Sequence, residues 1–178
     1  MMSIIKNQKT NFMDKDYINY QEYYPKLEKA LKEGAVLKVS LSGGSLRIVS
    51  VEKDGKELSY GEYLWLPGAL AHAEDDFGLS YEQQYLATNS KHYHYYTGAY
   101  PLPHDTLDVY LKADREFEVF YSKSWKCFIC ITPAPRNLNR NNEVLWGSAA
   151  NLLLSMSLCL TSFQLEDKEE LMKRVNHG

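Results

Sequence analysis

Apolar and polar positions along the chain change period several times, and each change marks an element. From Ala35 the period is two: Leu37, Val39 and Leu41 alternate with Lys38, Ser40 and Ser42. After Gly43 and Gly44, Leu46, Ile48 and Ser50 alternate with Arg47, Val49 and Val51. Two alternating runs around a Gly-Gly turn predict a β-hairpin, because glycine supplies the positive φ angles that tight primed turns require. The same Ser-Gly-Gly-Ser stretch is a poor phosphate cradle, since strands flank it and no helix N-terminus follows. A second hairpin is predicted further on. There Phe117, Val119 and Tyr121 alternate with Glu116, Glu118 and Phe120, Ser122-Lys123-Ser124 turns the chain, and Trp125 to Thr132 alternates again.

Helical spacing surrounds these runs. Residues 14 to 33 read as helix broken at Pro25, which starts a helix better than it continues one. In the second piece Leu27 and Leu31 share a face, Glu28 and Lys32 are assigned to the outer side, and Gly34 is the stop. Ser59 with Glu62 matches a capping box, and Leu66, Leu70, Ala73 and Phe77 form the stripe of a helix ended by Gly78. Ser80 with Gln83 is a second box, opening a short helix through Leu86. The proline- and asparagine-rich run from Thr132 to Asn142 reads as a surface loop, with Asn142 as the cap of a long apolar helix over 143–163. Glu166 to Val175 carries the charges of a solvated terminal helix. The assembled expectation is α+β: an antiparallel sheet from at least two β-hairpins, packed on the long apolar C-terminal helix with shorter helices around it. Residues 1–13 are expected as a flexible lead-in and 14–178 as a single domain.

The 20 uncharged residues from Val144 to Phe163 have the length of a bilayer span. Asn151 and five serines and threonines dilute the run, so a buried helix is preferred, with a membrane span or dimer seam as minor readings. Composition sharpens the rest. With 44% hydrophobic and 24% charged residues the chain has material for a core, and a net charge of −3 argues against a nucleic-acid partner, which calls for a basic face. Three cysteines without framework spacing, and no apolar leader, point to a reducing, cytoplasmic setting.

Candidate chemistry concentrates in two places. Lys91 to Asp108 holds three of the five histidines and four tyrosines. Glu74, Asp75 and Asp76 fall in the last turn of a helix, where the dipole disfavours anions. Such a breach of local rules marks function or a compensating contact. The first reading is a small, bacterial-type binding protein without catalysis or cofactor, of inhibitor or immunity type. It docks a basic protein partner through Glu74, Asp75, Asp76, Tyr93, Tyr95, Tyr96, Tyr100 and Tyr110, since tyrosine is enriched where proteins meet. The alternative is a metal-dependent hydrolase, with a divalent ion held by His72, Asp76, His92, His94 and His104. His92 and His94 project to one side of an extended strand, and His72 lies one turn before Asp76 on a helix. Cys127 and Cys130 fall on a strand pattern, three apart and on opposite faces, which excludes a bond between them. No serine elbow or Walker sequence occurs.

Overall fold

The computed structural model describes residues 24–42, 46–64, 66–87, 116–135 and 142–176. In chain order these form α1 (Pro25–Lys32), β1 (Val36–Ser42), β2 (Leu46–Lys53), β3 (Lys56–Tyr63), α2 (Leu66–Asp75), α3 (Tyr81–Ala87), β4 (Phe117–Ser122), β5 (Cys127–Pro133), β6 (Glu143–Ala149), α4 (Leu152–Thr161), β7 (Gln164–Asp167) and α5 (Lys168–Asn176). The strands make one seven-stranded sheet in the order β3-β2-β1-β4-β5-β6-β7, and every neighbouring pair is antiparallel. Both expected hairpins are present, as β1–β2 and β4–β5. The α+β class holds.

Alternation in the strands sorts side chains to two faces. Leu37, Val39, Val49, Val51, Phe117, Val119, Phe128, Cys130 and Leu145 turn to the face covered by α1, α2 and α4, and this is the main core. Ile129, Ile131, Val144 and Trp146 turn to the opposite face, where Leu171 and Val175 of α5 cover them. Arg174 of α5 lies over the Trp125 and Trp146 rings at 5.3 and 5.8 Å and is paired with Glu166, which fixes α5 against the sheet.

The sheet divides at the β1–β4 seam into two units of the same plan. In each, three antiparallel strands are followed by a helix that packs back on the third strand of its unit: α2 on β3, and α4 on β6. A glycine permits the close approach in both. A Cβ on Gly61 would lie 2.0 Å from the Ala69 carbonyl oxygen, and one on Gly147 would lie 2.5 Å from the Cys159 nitrogen. Helix α1 straddles the seam, touching β1, β4 and α2.

Four expectations are corrected. The long apolar helix over 143–163 is a strand, β6, followed by the ten-residue α4. Val144 and Trp146 are buried on one face and Leu145 on the other, so β6 lost the alternation of a half-buried strand and reads as an unbroken apolar run. Asn151, not Asn142, is the cap, its Oδ1 accepting from the Leu154 N–H at 2.8 Å. No helix among the described residues is long and apolar enough to cross a membrane. The Ser59/Glu62 pair is not a capping box, because both residues lie in β3, paired with β2 along its length. The Ser59 hydroxyl instead donates to the Ala73 carbonyl at 2.7 Å and ties α2 to the sheet. Glu28, assigned to the outer face of its helix, is only 9% exposed.

Candidate functional site

The acidic end of α2 resolves into two kinds of residue. Glu74 turns inward to the start of α1, where its carboxylate accepts from the Lys26 N–H at 2.9 Å and the Leu27 N–H at 3.1 Å. Helix α1 needs this. Pro25 at its first position has no N–H, and Tyr24 at its N-cap makes no side-chain cap, so Glu74 meets the donors that the helix leaves open. The anion that breaks the rule at the end of α2 is therefore the cap of another helix. Burial raises the Glu74 carboxyl above the ordinary carboxylate range, further than the Lys26 and Leu27 N–H groups lower it. Asp75 by contrast is exposed and Asp76 half-buried.

His72 is turned to β3. Its ring is 6% exposed, with Nδ1 2.9 Å from the Glu62 carbonyl oxygen and the Tyr63 ring edge-on at 5.3 Å. It serves the α2–β3 contact as a buried side chain with a backbone partner. Among the described residues no group of three or more His, Cys, Asp or Glu side chains is placed to hold a metal ion. His92, His94 and His104, with Tyr93, Tyr95, Tyr96, Tyr100 and Tyr110, lie outside the described residues.

A surface that the sequence reading passed over lies on α3. The Ser80/Gln83 box forms as expected: the Ser80 N–H donates to Gln83 Oε1 at 2.9 Å, and the Gln83 N–H to Ser80 Oγ at 3.4 Å. Glu57 of β3 adds an acceptor for the Tyr81 N–H at 3.0 Å, and Gln84 donates to the Tyr60 carbonyl on the edge strand β3. These contacts fix α3 against the sheet edge and leave its apolar side chains outside. Tyr85 and Leu86 are each 73% exposed, Tyr81 49% and Leu79 37%. The Tyr60, Tyr81 and Tyr85 rings follow one another at 4.7 and 6.4 Å, so the outermost tyrosine rests on a ladder anchored in β3. Glu82 is exposed on α3 itself, and Asp75, also exposed, precedes in the chain the turn that leads into α3. Burial, with the charge of Glu62 next, pushes the Tyr60 hydroxyl far above its usual range and keeps it neutral. The signal was present in the sequence as Tyr81 and Tyr85 one turn apart with Leu86 beside them, on a helix too short to bury them all.

A cavity of about 520 Å³ opens at the end of the sheet where β4 begins, between Lys38 and Ser40 of β1, Glu118 of β4, Pro133 of β5 and Lys168 of α5. Lys168 pairs with Glu118 at 3.8 Å and Lys38 with Glu52 at 3.4 Å, whereas Glu143 and Thr132, which also line the cavity, each have a buried side-chain oxygen, Oε1 and Oγ1, without a hydrogen-bond partner among the described residues. Of the two places, α3 presents large apolar side chains outward, and among the described residues no element covers Tyr85 and Leu86. Cys127 and Cys130 lie in β5 as free thiols, as does Cys159 in α4, and burial raises the thiols of Cys127 and Cys130 above their usual range. Comparison with protein-family models, curated proteins and solved structures gives no match, so function has to be argued from the residues themselves.

Proposed function

We propose that the protein is a non-catalytic binding protein, of inhibitor or immunity type, that docks a basic protein partner through α3 and the acidic turn before it. One observation carries the reading: Tyr85 and Leu86 project from a short, well-anchored helix with 73% of each exposed, and Glu82 is exposed on the same helix. Tyrosine and leucine held on rigid elements give contact area at low entropic cost, and acidic neighbours steer a basic partner and set register. Glu74 stands outside this surface, because its carboxylate accepts from the Lys26 and Leu27 N–H groups of α1.

The test is affinity capture from the native cell with the wild type and two double variants, followed by binding kinetics on the protein retained. Tyr85→Ala with Leu86→Ala is expected to weaken binding by about 1–3 kcal/mol, seen mainly as faster dissociation. Asp75→Lys with Glu82→Lys is expected to lower the association rate and flatten its dependence on salt. Neither pair should move the melting temperature by more than about 2 °C, since these side chains are at the surface. Retention of the same proteins by the wild type and both variants refutes the proposal.

A further inference from the structure

Cys130 and Cys159 meet inside the unit built from β4, β5, β6 and α4. Cys130 turns to the face of β5 that α4 covers, and across the ladder it is paired with Gly147 of β6. The backbone of α4 rests directly on that glycine: a Cβ there would lie 2.5 Å from the Cys159 nitrogen and 2.9 Å from its Cα. With antiparallel neighbours about 5 Å apart and α4 about 4 Å above Gly147, the two cysteine Cα atoms are about 6 Å from each other. A disulfide spans about 4.4–6.8 Å between Cα atoms. Both side chains are fully buried, and the sulfurs lie against each other: burial, followed by hydrogen bonding to the Cys159 thiol, raises the Cys130 thiol above its usual range. Cys127 is apart from the pair, half-buried on the opposite face of β5. A count of three cysteines is then one pair and one spare thiol.

We propose that Cys130 and Cys159 are a disulfide site, a reversible clasp that pins α4 to β5 when the thiol pool around the protein is oxidising. The reaction is exchange with a small disulfide of the glutathione class. One protein thiolate attacks the small disulfide, breaks its S–S bond and releases one small thiol, leaving a mixed disulfide on the protein. The second protein thiolate attacks the protein sulfur of that mixed disulfide, which forms the Cys130–Cys159 bond and releases the second small thiol. Two electrons pass from the cysteines to the small disulfide, and the two protein thiol protons end on the two released thiols. Buried thiols are protonated and slow to react, so exchange takes place when α4 lifts from the sheet or while the chain folds. The fold gives up one weak hydrogen bond, from Cys159 Sγ to the Leu145 carbonyl at 3.4 Å. In return the bond closes the chain between β5 and α4, which removes freedom from the unfolded state.

The experiment is refolding of the full chain from urea in a glutathione buffer, with the oxidised form in excess, followed by alkylation with N-ethylmaleimide in denaturant, intact mass and peptide mapping. Refolding presents every thiol to the buffer, so burial in the native state cannot hide the pair. The expected product has lost two hydrogens, carries its alkyl group or glutathione adduct on Cys127 alone, and yields a linked peptide pair joining Cys130 to Cys159. It is expected to melt about 5–10 °C above the same chain reduced with dithiothreitol. Cys127→Ser should form the same bond with the same shift, and Cys159→Ala should form none and melt alike with and without dithiothreitol. Where Cys159→Ala fails to fold, the mapped bond and the melting shift of Cys127→Ser decide alone. Cys130 and Cys159 both recovered without a bond after refolding overturn the proposal, as does a bond from either to Cys127. A Cys130–Cys159 bond that leaves the melting temperature unchanged or lower also overturns it, because the native separation would then not suit the bond.

Discussion

Glu74→Ala should destabilise the protein although the residue sits in an acidic surface turn where a neutral side chain looks harmless. The substitution leaves the N–H groups of Lys26 and Leu27 without an acceptor at the start of α1. Loss of a cap costs about 0.5–2 kcal/mol, and the favourable contact between an anion and the N-terminal dipole adds about 0.3–1 kcal/mol. Against this, the variant relieves an anion from the last turn of α2, which returns about 0.3–1 kcal/mol. The two dipole contributions offset, so the net expectation is a loss of about 0.5–2 kcal/mol, or about 1–8 °C in melting temperature for a chain of this size. Glu74→Gln keeps an acceptor oxygen and loses the charge, so it should cost less than half as much. Urea denaturation read by tryptophan fluorescence is a suitable assay, because Trp125 and Trp146 belong to the cluster under α5 and report on global unfolding rather than on α1 itself. A Glu74→Ala variant within about 0.3 kcal/mol of the wild type would refute the cap, and so would a Gln variant as damaging as Ala.

Two further outcomes are expected. Gly61→Ala and Gly147→Ala should each cost about 3 kcal/mol or more in the same assay, because the added methyl meets the backbone of α2 or α4 rather than a movable side chain, and an alanine tolerated at either site would contradict the helix placement. Burial raises the Glu62 carboxyl above 4.5, so the folded state holds that proton more tightly than the unfolded chain, and the stability it contributes is lost as pH rises through the folded value. Glu62→Gln should therefore gain on the wild type between pH of about 4.5 and 7, measured as the difference in urea midpoints, and an advantage that shrinks with pH would reverse the sign of the argument.

What could be read in the sequence follows from how local each signal is. The β1–β2 and β4–β5 hairpins were legible because their strands alternate with a period of two and their turns lie within the same stretch. The Ser80/Gln83 box was legible for the same reason, whereas Ser59 and Glu62 have the same spacing and were captured by β2. Strand β6 was hidden because both its faces are buried, and α4 was hidden behind it in one charge-free run. The role of Glu74 was half legible. Its position breaks the dipole rule, which announces a compensating contact, but the contact is 48 residues away and nothing local names it. The exposure of Tyr85 and Leu86 depends on where α3 lies against the sheet, which composition cannot supply.

The trans caps also explain how two similar units act as one fold. Glu74, at the end of α2 in the first unit, holds the start of α1. Glu28, within α1, extends its Oε2 to the N–H of Leu152 at 2.8 Å, the first residue of α4 in the second unit. Two carboxylates thus chain α2 to α1 to α4 across the β1–β4 seam, where β1 and β4 are paired over only three residues each, Leu37–Val39 with Phe117–Val119. The short ladder is reinforced by these two carboxylates, each accepting from backbone N–H groups that a helix start leaves open. Glu28, 9% exposed and bonded to a buried N–H, is the costlier of the two to lose. Its removal leaves the Leu152 N–H without an acceptor and loosens the first turn of α4, so the clasp between the units and the seating of α4 on β6 depend on one carboxylate.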